Sequence, residues 1–265
     1  MKMKQTSFTI LSDIHETHNT LTIQPSDFLL MCGDIILRSE SKDFSSKRKY
    51  LKTFGKWLQH LPVKQIVMIL GNHERDYQID SNTIFNSFPF LPNLSILNGW
   101  KTIDNFHFFG ISFPFNKNIQ NVHQMKKFKE MKDRKQSKPT ILMTHEPPYE
   151  ILDYGISNRK IISDSFYHAG NKNLKKIDEW FQPDLHCFGH CHSSHGIMKN
   201  SKTMFVNASV VDDMNDPFKK PIQLIYSNGK FIPTDWKKMY SLTQFKKQIS
   251  LDPFEFITSS NDYKK

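Results

Sequence analysis

Five apolar segments of strand length each end in a polar residue that can bind a metal ion, and this repetition narrows the folds open to the chain more than any other feature. Residues 8–11 run into Ser12-Asp13-Ile14-His15, residues 28–32 into Gly33-Asp34, and residues 66–70 into Gly71-Asn72-His73-Glu74. Residues 141–143 lead to Thr144-His145, and residues 185–188 to Gly189-His190-Cys191-His192. Taken singly, each is ordinary: an Asp after a strand is usually a helix cap or an Asx-turn, and Gly-Asn is usually a turn. Five in chain order are another matter. In α/β folds ligands bind at the C-terminal edge of the strands, so these residues are expected to meet there. The His-x-His spacing of His190 and His192 lets two imidazoles reach adjacent ions. By contrast, His15-Glu16-Thr17-His18 is one residue short of the helical H-E-x-x-H zinc motif and follows a strand, so it is not that motif.

Further strand-length runs fall at residues 106–111, 205–206 and 222–226. Most of these runs are apolar throughout, as expected of strands covered on both faces. Helical stripes alternate with them. Leu51, Phe54, Leu58 and Leu61 mark one, stopped by Pro62; Leu174, Ile177 and Phe181 mark another, with Asn171 as N-cap and Pro183 as the stop. The alternation predicts an α/β layered fold. Ser227-Asn228-Gly229-Lys230 predicts a hairpin turn. Residues 1–234 are expected to form one domain. The basic, aromatic-containing tail 235–265 is expected to pack back on it, the alternative being an amphipathic helix on a membrane or partner.

Composition excludes several classes. No apolar run is long enough to cross a membrane, and the N-terminus lacks the apolar region and cleavage site of a signal peptide, so a soluble, cytoplasmic protein is expected. The cysteines, Cys32, Cys187 and Cys191, have no disulfide-framework spacing, and no second CxxC-type pair completes a zinc knuckle at Cys187, Cys191 and His192. A net charge of +10 suggests a polyanionic partner, but the excess is nearly all Lys, with Arg only at Arg38, Arg48, Arg75, Arg134 and Arg159. Specific phosphate or base recognition tends to use the bidentate fork of Arg, so nucleic acid is not the favoured partner. The basic stretch 117–138, with Val122, Met125, Phe128 and Met131 at helical spacing, reads as a surface helix with a solvated face.

The order D-x-H, G-D, G-N-H-[DE], a lone H and G-H-x-H resembles the calcineurin-like metallophosphoesterases, over about residues 7–226. Within that superfamily the segments SDIH, SDFLLMCGD, ILMTHEPPYEILD, LHCFGHCHSSHG and FVNAS most resemble the metallophosphoesterase-domain brain proteins and class III cyclic-nucleotide phosphodiesterases. The resemblance implies a four-layer α/β/β/α sandwich of two mixed sheets. It assigns one divalent ion to Asp13, His15 and His192, a second to Asn72, His145 and His190, and the bridge between them to Asp34. His73 would stabilise the transition state or protonate the leaving oxygen.

Imidazole, carboxylate and carboxamide donors together suit Mn, Fe or Zn rather than Ca. Two such ions about 3.5–4 Å apart acidify a bridging water and clamp both oxygens of an in-line displacement. Less Asp13, Asp34 and a bridging hydroxide, their charge leaves about +1, which matches a monoanionic phosphodiester such as a small or cyclic nucleotide. Phosphomonoester or protein-phosphate hydrolysis is the alternative, for which Arg38 and Arg75 would grip the extra charge; a nuclease or a non-catalytic scaffold is a more distant one. Where close relatives carry Gly after the lone His, this chain has Glu146, which either repels a substrate phosphate or turns away to cap the next turn. The Gly-Cys that often follows in relatives is Gly170-Asn171 here.

Overall fold

The computed structural model describes residues 5–38, 43–88, 91–113, 138–156, 166–217, 219–235 and 239–241. Strands β1 (Thr6–Leu11), β2 (Ser26–Cys32), β3 (Val63–Ile69), β4 (Leu94–Ile96), β13 (Ile222–Ser227) and β14 (Lys230–Pro233) form one mixed sheet in the order β14-β13-β1-β2-β3-β4. Strands β5 (Gly99–Ile103), β6 (Phe106–Ile111), β7 (Thr140–Thr144), β10 (Leu185–Phe188), β11 (Gly196–Lys199), β12 (Met204–Asn207) and β15 (Met239–Ser241) form the other, in the order β15-β11-β12-β10-β7-β6-β5. A separate pair joins β8 (Tyr154–Ile156) to β9 (Phe166–His168). The strands that end in candidate ligands, β1, β2 and β3 in one sheet and β7 and β10 in the other, are parallel neighbours within each sheet, which brings their C-terminal ends together.

Side-chain alternation explains why these runs are apolar at every position. Phe28, Leu30 and Cys32 of β2 and Val67 and Ile69 of β3 enter a core that also holds Ile141, Met143, Leu185 and Cys187 of the second sheet. Their alternates Leu29, Met31, Ile66 and Met68 face outward, under helix α1 (Phe44–Gln59) and helix α3 (Ser81–Ser87), where they meet Leu51, Phe54, Leu58 and Ile84. Burying a side chain of this size stabilises by about 1.5–3 kcal/mol. On the far side, Leu142 and Phe109 pack against Leu174, Ile177 and Phe181 of helix α4 (Lys172–Phe181). Helix α4 begins where Asn171 Oδ1 accepts the N–H groups of Asn173 and Leu174, and ends at Gln182 in a left-handed conformation just before Pro183. The result is four layers, α/β/β/α.

Ser227 and Lys230 pair across a turn with positive φ at Asn228 (53°) and Gly229 (76°), as a two-residue hairpin requires. The cysteines are free and buried, and Cys191 Sγ donates to Asp153 O. Beyond residue 234, β15 pairs in parallel with β11. The helix expected over 117–138, Lys138 aside, and the tail 242–265 lie outside the described residues. Among the described residues no helix is long and apolar enough to cross a membrane.

Candidate metal centre

Helix α2 (Asn72–Asp76) begins directly after β3, so Asn72 and His73 project from its first turn. The other candidate ligands sit on tight turns at strand ends. Asp13 (φ 54°), His15 (44°), Asp34 (53°) and His190 (67°) all hold left-handed backbone conformations. Each costs on the order of 1–3 kcal/mol in a non-glycine residue and persists only where its surroundings enforce it. Close approach of the turns explains the glycines of the motifs. A Cβ on Gly189 would lie 2.1 Å from Asp13 Oδ2 and from Ser12 Oγ, and one on Gly71 would lie 2.1 Å from Asp34 Oδ1.

All seven residues expected to bind metal converge. Asp34 Oδ2 lies 3.2 Å from His145 Nε2 and 3.7 Å from His15 Nε2, and Asp13 Oδ1 lies 3.3 Å from His192 Nε2. Asn72 Oδ1 lies 2.8 Å from His145 Nε2 and 3.1 Å from His190 Nδ1. His73 Nε2, 3.6 Å from the same Asp34 oxygen, joins this cluster, and its ring stacks on His15 at 4.6 Å. Among the described residues, three sets place their donor atoms closely enough to hold an ion: Asp13, His15 and His192; His15, Asp34 and His73; and Asp13, Asp34 and His145.

Most of the remaining ring nitrogens are committed elsewhere. His145 Nδ1 pairs with Cys32 O at 2.8 Å, His192 Nδ1 with Asp212 O at 2.9 Å, and His73 Nδ1 with Ile36 O at 3.0 Å. An imidazole that donates Nδ1–H to a carbonyl keeps its Nε2 lone pair free for a cation. Two atoms at the centre, Asp13 Oδ1 and His15 Nε2, are buried without a hydrogen-bond partner. An unpaired buried carboxylate oxygen beside an unpaired imidazole nitrogen fits a divalent cation.

The protein's own charges show the same demand. Burial alone would raise the Asp13 carboxyl, but the adjacent His192 imidazole outweighs this and holds it well below the ordinary range. Burial works against a charge on His145, yet the adjacent Asp34 carboxylate lifts it to about 10. His190, buried and facing a charged His145, falls to about 4.

Residues outside the seven candidate ligands support the site. Glu74 is fully buried, and its carboxylate accepts the N–H groups of Asp34, Ile35, Ile36 and Gly71, at 2.8–3.2 Å. Buried Lys47 of α1 reaches Glu16 Oε1 at 2.6 Å, and Glu16 in turn accepts Leu37 N–H, bracing the turn after β2. Ser209 Oγ donates to Asp13 Oδ2 at 2.7 Å. Glu146 turns to Asn171, whose Nδ2 it accepts at 3.2 Å, and so supports the cap of α4. Both arginines singled out from the sequence turn toward Asp76: Arg75 Nη2 at 2.7 Å and Arg38 Nη1 at 3.9 Å. Arg75 also lies over the Phe113 ring, which flanks His145 and His190.

Known proteins resemble this chain in sequence and in fold. The chain is 28% identical to a UPF0046 protein of Caenorhabditis elegans over 230 residues, covering 80% of this chain and 72% of that protein. It is 26% identical to human (Homo sapiens) metallophosphoesterase domain-containing protein 1 over 251 residues, covering 82% of this chain and 70% of that one. Its fold is similar to that of the phosphopantetheinyl hydrolase of Mycobacterium tuberculosis, with a TM-score of 0.51 at 13% identity, covering 87% of this chain and 97% of that one. The sequence pattern of the calcineurin-like phosphoesterases matches residues 6–194, the span that carries all seven candidate ligands, and the chain belongs to that family.

Proposed function

We propose that the protein hydrolyses phosphodiesters at a site that holds two divalent cations, with small or cyclic nucleotides as the substrate class. The observation that carries this reading is the meeting of Asp34 with His15, His73 and His145 beside the unpaired atoms Asp13 Oδ1 and His15 Nε2. Asp13, His15 and His192 would hold one cation, Asn72, His145 and His190 the other, and Asp34 both. When bound, the pair supplies Lewis acidity and an acidified water. The residues do the rest. Their rings are oriented by carbonyl acceptors, and His73, with Nδ1 fixed on Ile36 O, presents Nε2 toward the centre as the group that passes a proton to the leaving oxygen.

Charge selects the substrate. Asp13 and Asp34 offset only part of the charge of two divalent ions, leaving a small positive excess that suits a monoanion. A dianionic monoester would call on Arg38 and Arg75, and Asp76 engages both. That pairing favours the diester. The test is a substrate panel on Mn-loaded protein: a bis-aryl phosphodiester, the aryl monoester, 2′,3′-cyclic nucleotides and single-stranded DNA. The diester and the strained cyclic esters should lead by kcat/KM. A clear monoester preference would replace this reading with a phosphatase.

A further inference from the structure

The family pattern ends at residue 194, yet the chain past that point reaches back into the centre. Segment 207–217 touches each of the three residues assigned to one ion. Ser209 Oγ donates to Asp13 Oδ2 at 2.7 Å, Asp212 O pairs with His192 Nδ1 at 2.9 Å, and Asn215 Oδ1 pairs with His15 Nδ1 at 2.5 Å. Of the other ion's residues, His145 is instead oriented by Cys32 O, from the β2 strand end.

The segment is built to hold this position. Asp212 Oδ1 accepts the N–H groups of Met214 and Asp216, Asp212 O accepts the N–H of Asn215, and Asp212 N–H donates to Asp216 O. Asn215 stands at φ 64°, a left-handed conformation that Asn tolerates, and this aims its amide at the imidazole. The segment's base is tied to the turn after β1 by Val210 N–H on Ser12 O at 3.0 Å.

We infer that Asn215 is a positioning residue for one of the two cations, fixing the His15 tautomer so that Nε2 faces the metal, within a clamp completed by Ser209 and Asp212. The inference rests on the dinuclear reading above. His15 Nε2 is buried and without a partner, so a metal-facing lone pair there requires the proton on Nδ1, and Asn215 Oδ1 accepts it. Partners of this kind typically change metal affinity by 10–100-fold when lost.

The test is equilibrium titration of chelator-stripped protein with Mn²⁺ and with Zn²⁺ against a chromophoric competitor, with thermal melting of the metal-free proteins alongside. Three variants separate side chain from backbone. Asn215→Gly removes the amide and keeps the left-handed turn without strain. Asn215→Ala removes the amide and strains the turn. Asn215→Asp keeps an acceptor for Nδ1–H. Wild type should take two ions. Asn215→Gly and Asn215→Ala should both weaken one binding step by about 10–100-fold and leave the other within about 3-fold, while Asn215→Asp retains both. If Asn215→Gly binds both ions like wild type, or weakens both steps equally, the positioning role is overturned and the dinuclear reading stands. A wild type that takes fewer than two ions overturns the dinuclear reading, and this role with it.

Discussion

Glu74 Oε2 accepts the backbone N–H of Asp34 at 2.9 Å, so a buried carboxylate on α2 holds the turn that presents the central aspartate of the site. Burial, and then the charge of Asp34, push the Glu74 carboxyl up to about 7. Four backbone donors favour its ionised form, and cations next to Asp34 would favour it further.

Glu74→Ala would leave those four buried N–H groups without an acceptor. At roughly 1–3 kcal/mol for each orphaned group, partly relieved by water entering the space, the loss should be about 4 kcal/mol. Glu74→Gln retains one carbonyl oxygen and should lose less, about 1–3 kcal/mol. Urea denaturation of the metal-free proteins measures both. A loss below about 1 kcal/mol for the alanine variant would mean that the turn does not depend on this residue.

Gly189→Ala tests the close approach of the turns. Its new methyl would collide with Asp13 Oδ2 and Ser12 Oγ, and overpacking of this kind costs about 1–3 kcal/mol. The displaced Asp13 should also bind metal less well. Gly229→Ala is the control: it has open space around it but a φ of +76°, so it should lose about 1 kcal/mol by strain alone and leave metal affinity untouched. Equal metal affinity in the two variants would contradict the packing account.

Asp27 staples the starts of β1 and β2, accepting Ser7 N–H at 2.8 Å and Lys64 Nζ at 2.6 Å. Burial alone would raise its carboxyl, but the hydrogen bonds from Lys64 and Ser7 outweigh it and hold it below the usual carboxylate range. A depressed folded value means the stabilisation is fully present above the unfolded value and is lost as pH falls through the folded one. Asp27→Asn should therefore cost about 1 kcal/mol at neutral pH, with the gap to wild type closing in more acidic solution. Denaturation curves across pH would show it, and a gap that widened on acidification would refute the assignment.

Much of this was legible in the sequence, and the reasons are local. β2 and β3 are covered on both faces, so residues 28–32 and 66–70 are apolar at every position and stand out as strands. Asn171 before Leu174 and Pro183 after Phe181 bracket α4 by their backbone chemistry. The seven candidate ligands follow strands within one to four residues, so their convergence could be read from order alone. The features the sequence does not reveal depend on distant pairing. Asp212-Asp213-Met214-Asn215 reads as a polar turn, and only the fold carries Asn215 to His15, 200 residues away in sequence. Lys47 lies among the lysines of a solvated helix face, and its burial follows from the position of Glu16. The three-residue strands β4, β8, β9 and β15 are too short to show a period.

His73 and Asp34 separate metal binding from chemistry. His73 stands close enough to His15 and Asp34 to share an ion with them, whereas the family resemblance gives it proton transfer. On the second assignment His73→Ala keeps two metals and loses on the order of 10²–10⁴ in rate. Asp34→Asn should lose metal, because Asp34 Oδ2 faces both His15 of one set and His145 of the other. Elemental analysis of the purified variants decides between the roles; an ion lost from His73→Ala together with two kept by Asp34→Asn would reverse them.

The most direct test of the central claim is hydrolysis of a bis-aryl phosphodiester by protein stripped with a chelator, verified metal-free, and then titrated with Mn²⁺. Activity should vanish on stripping and return as two equivalents bind, and the melting temperature should rise with them, because a ligand held only by the native state stabilises it. Undiminished turnover by the verified metal-free protein would contradict the account.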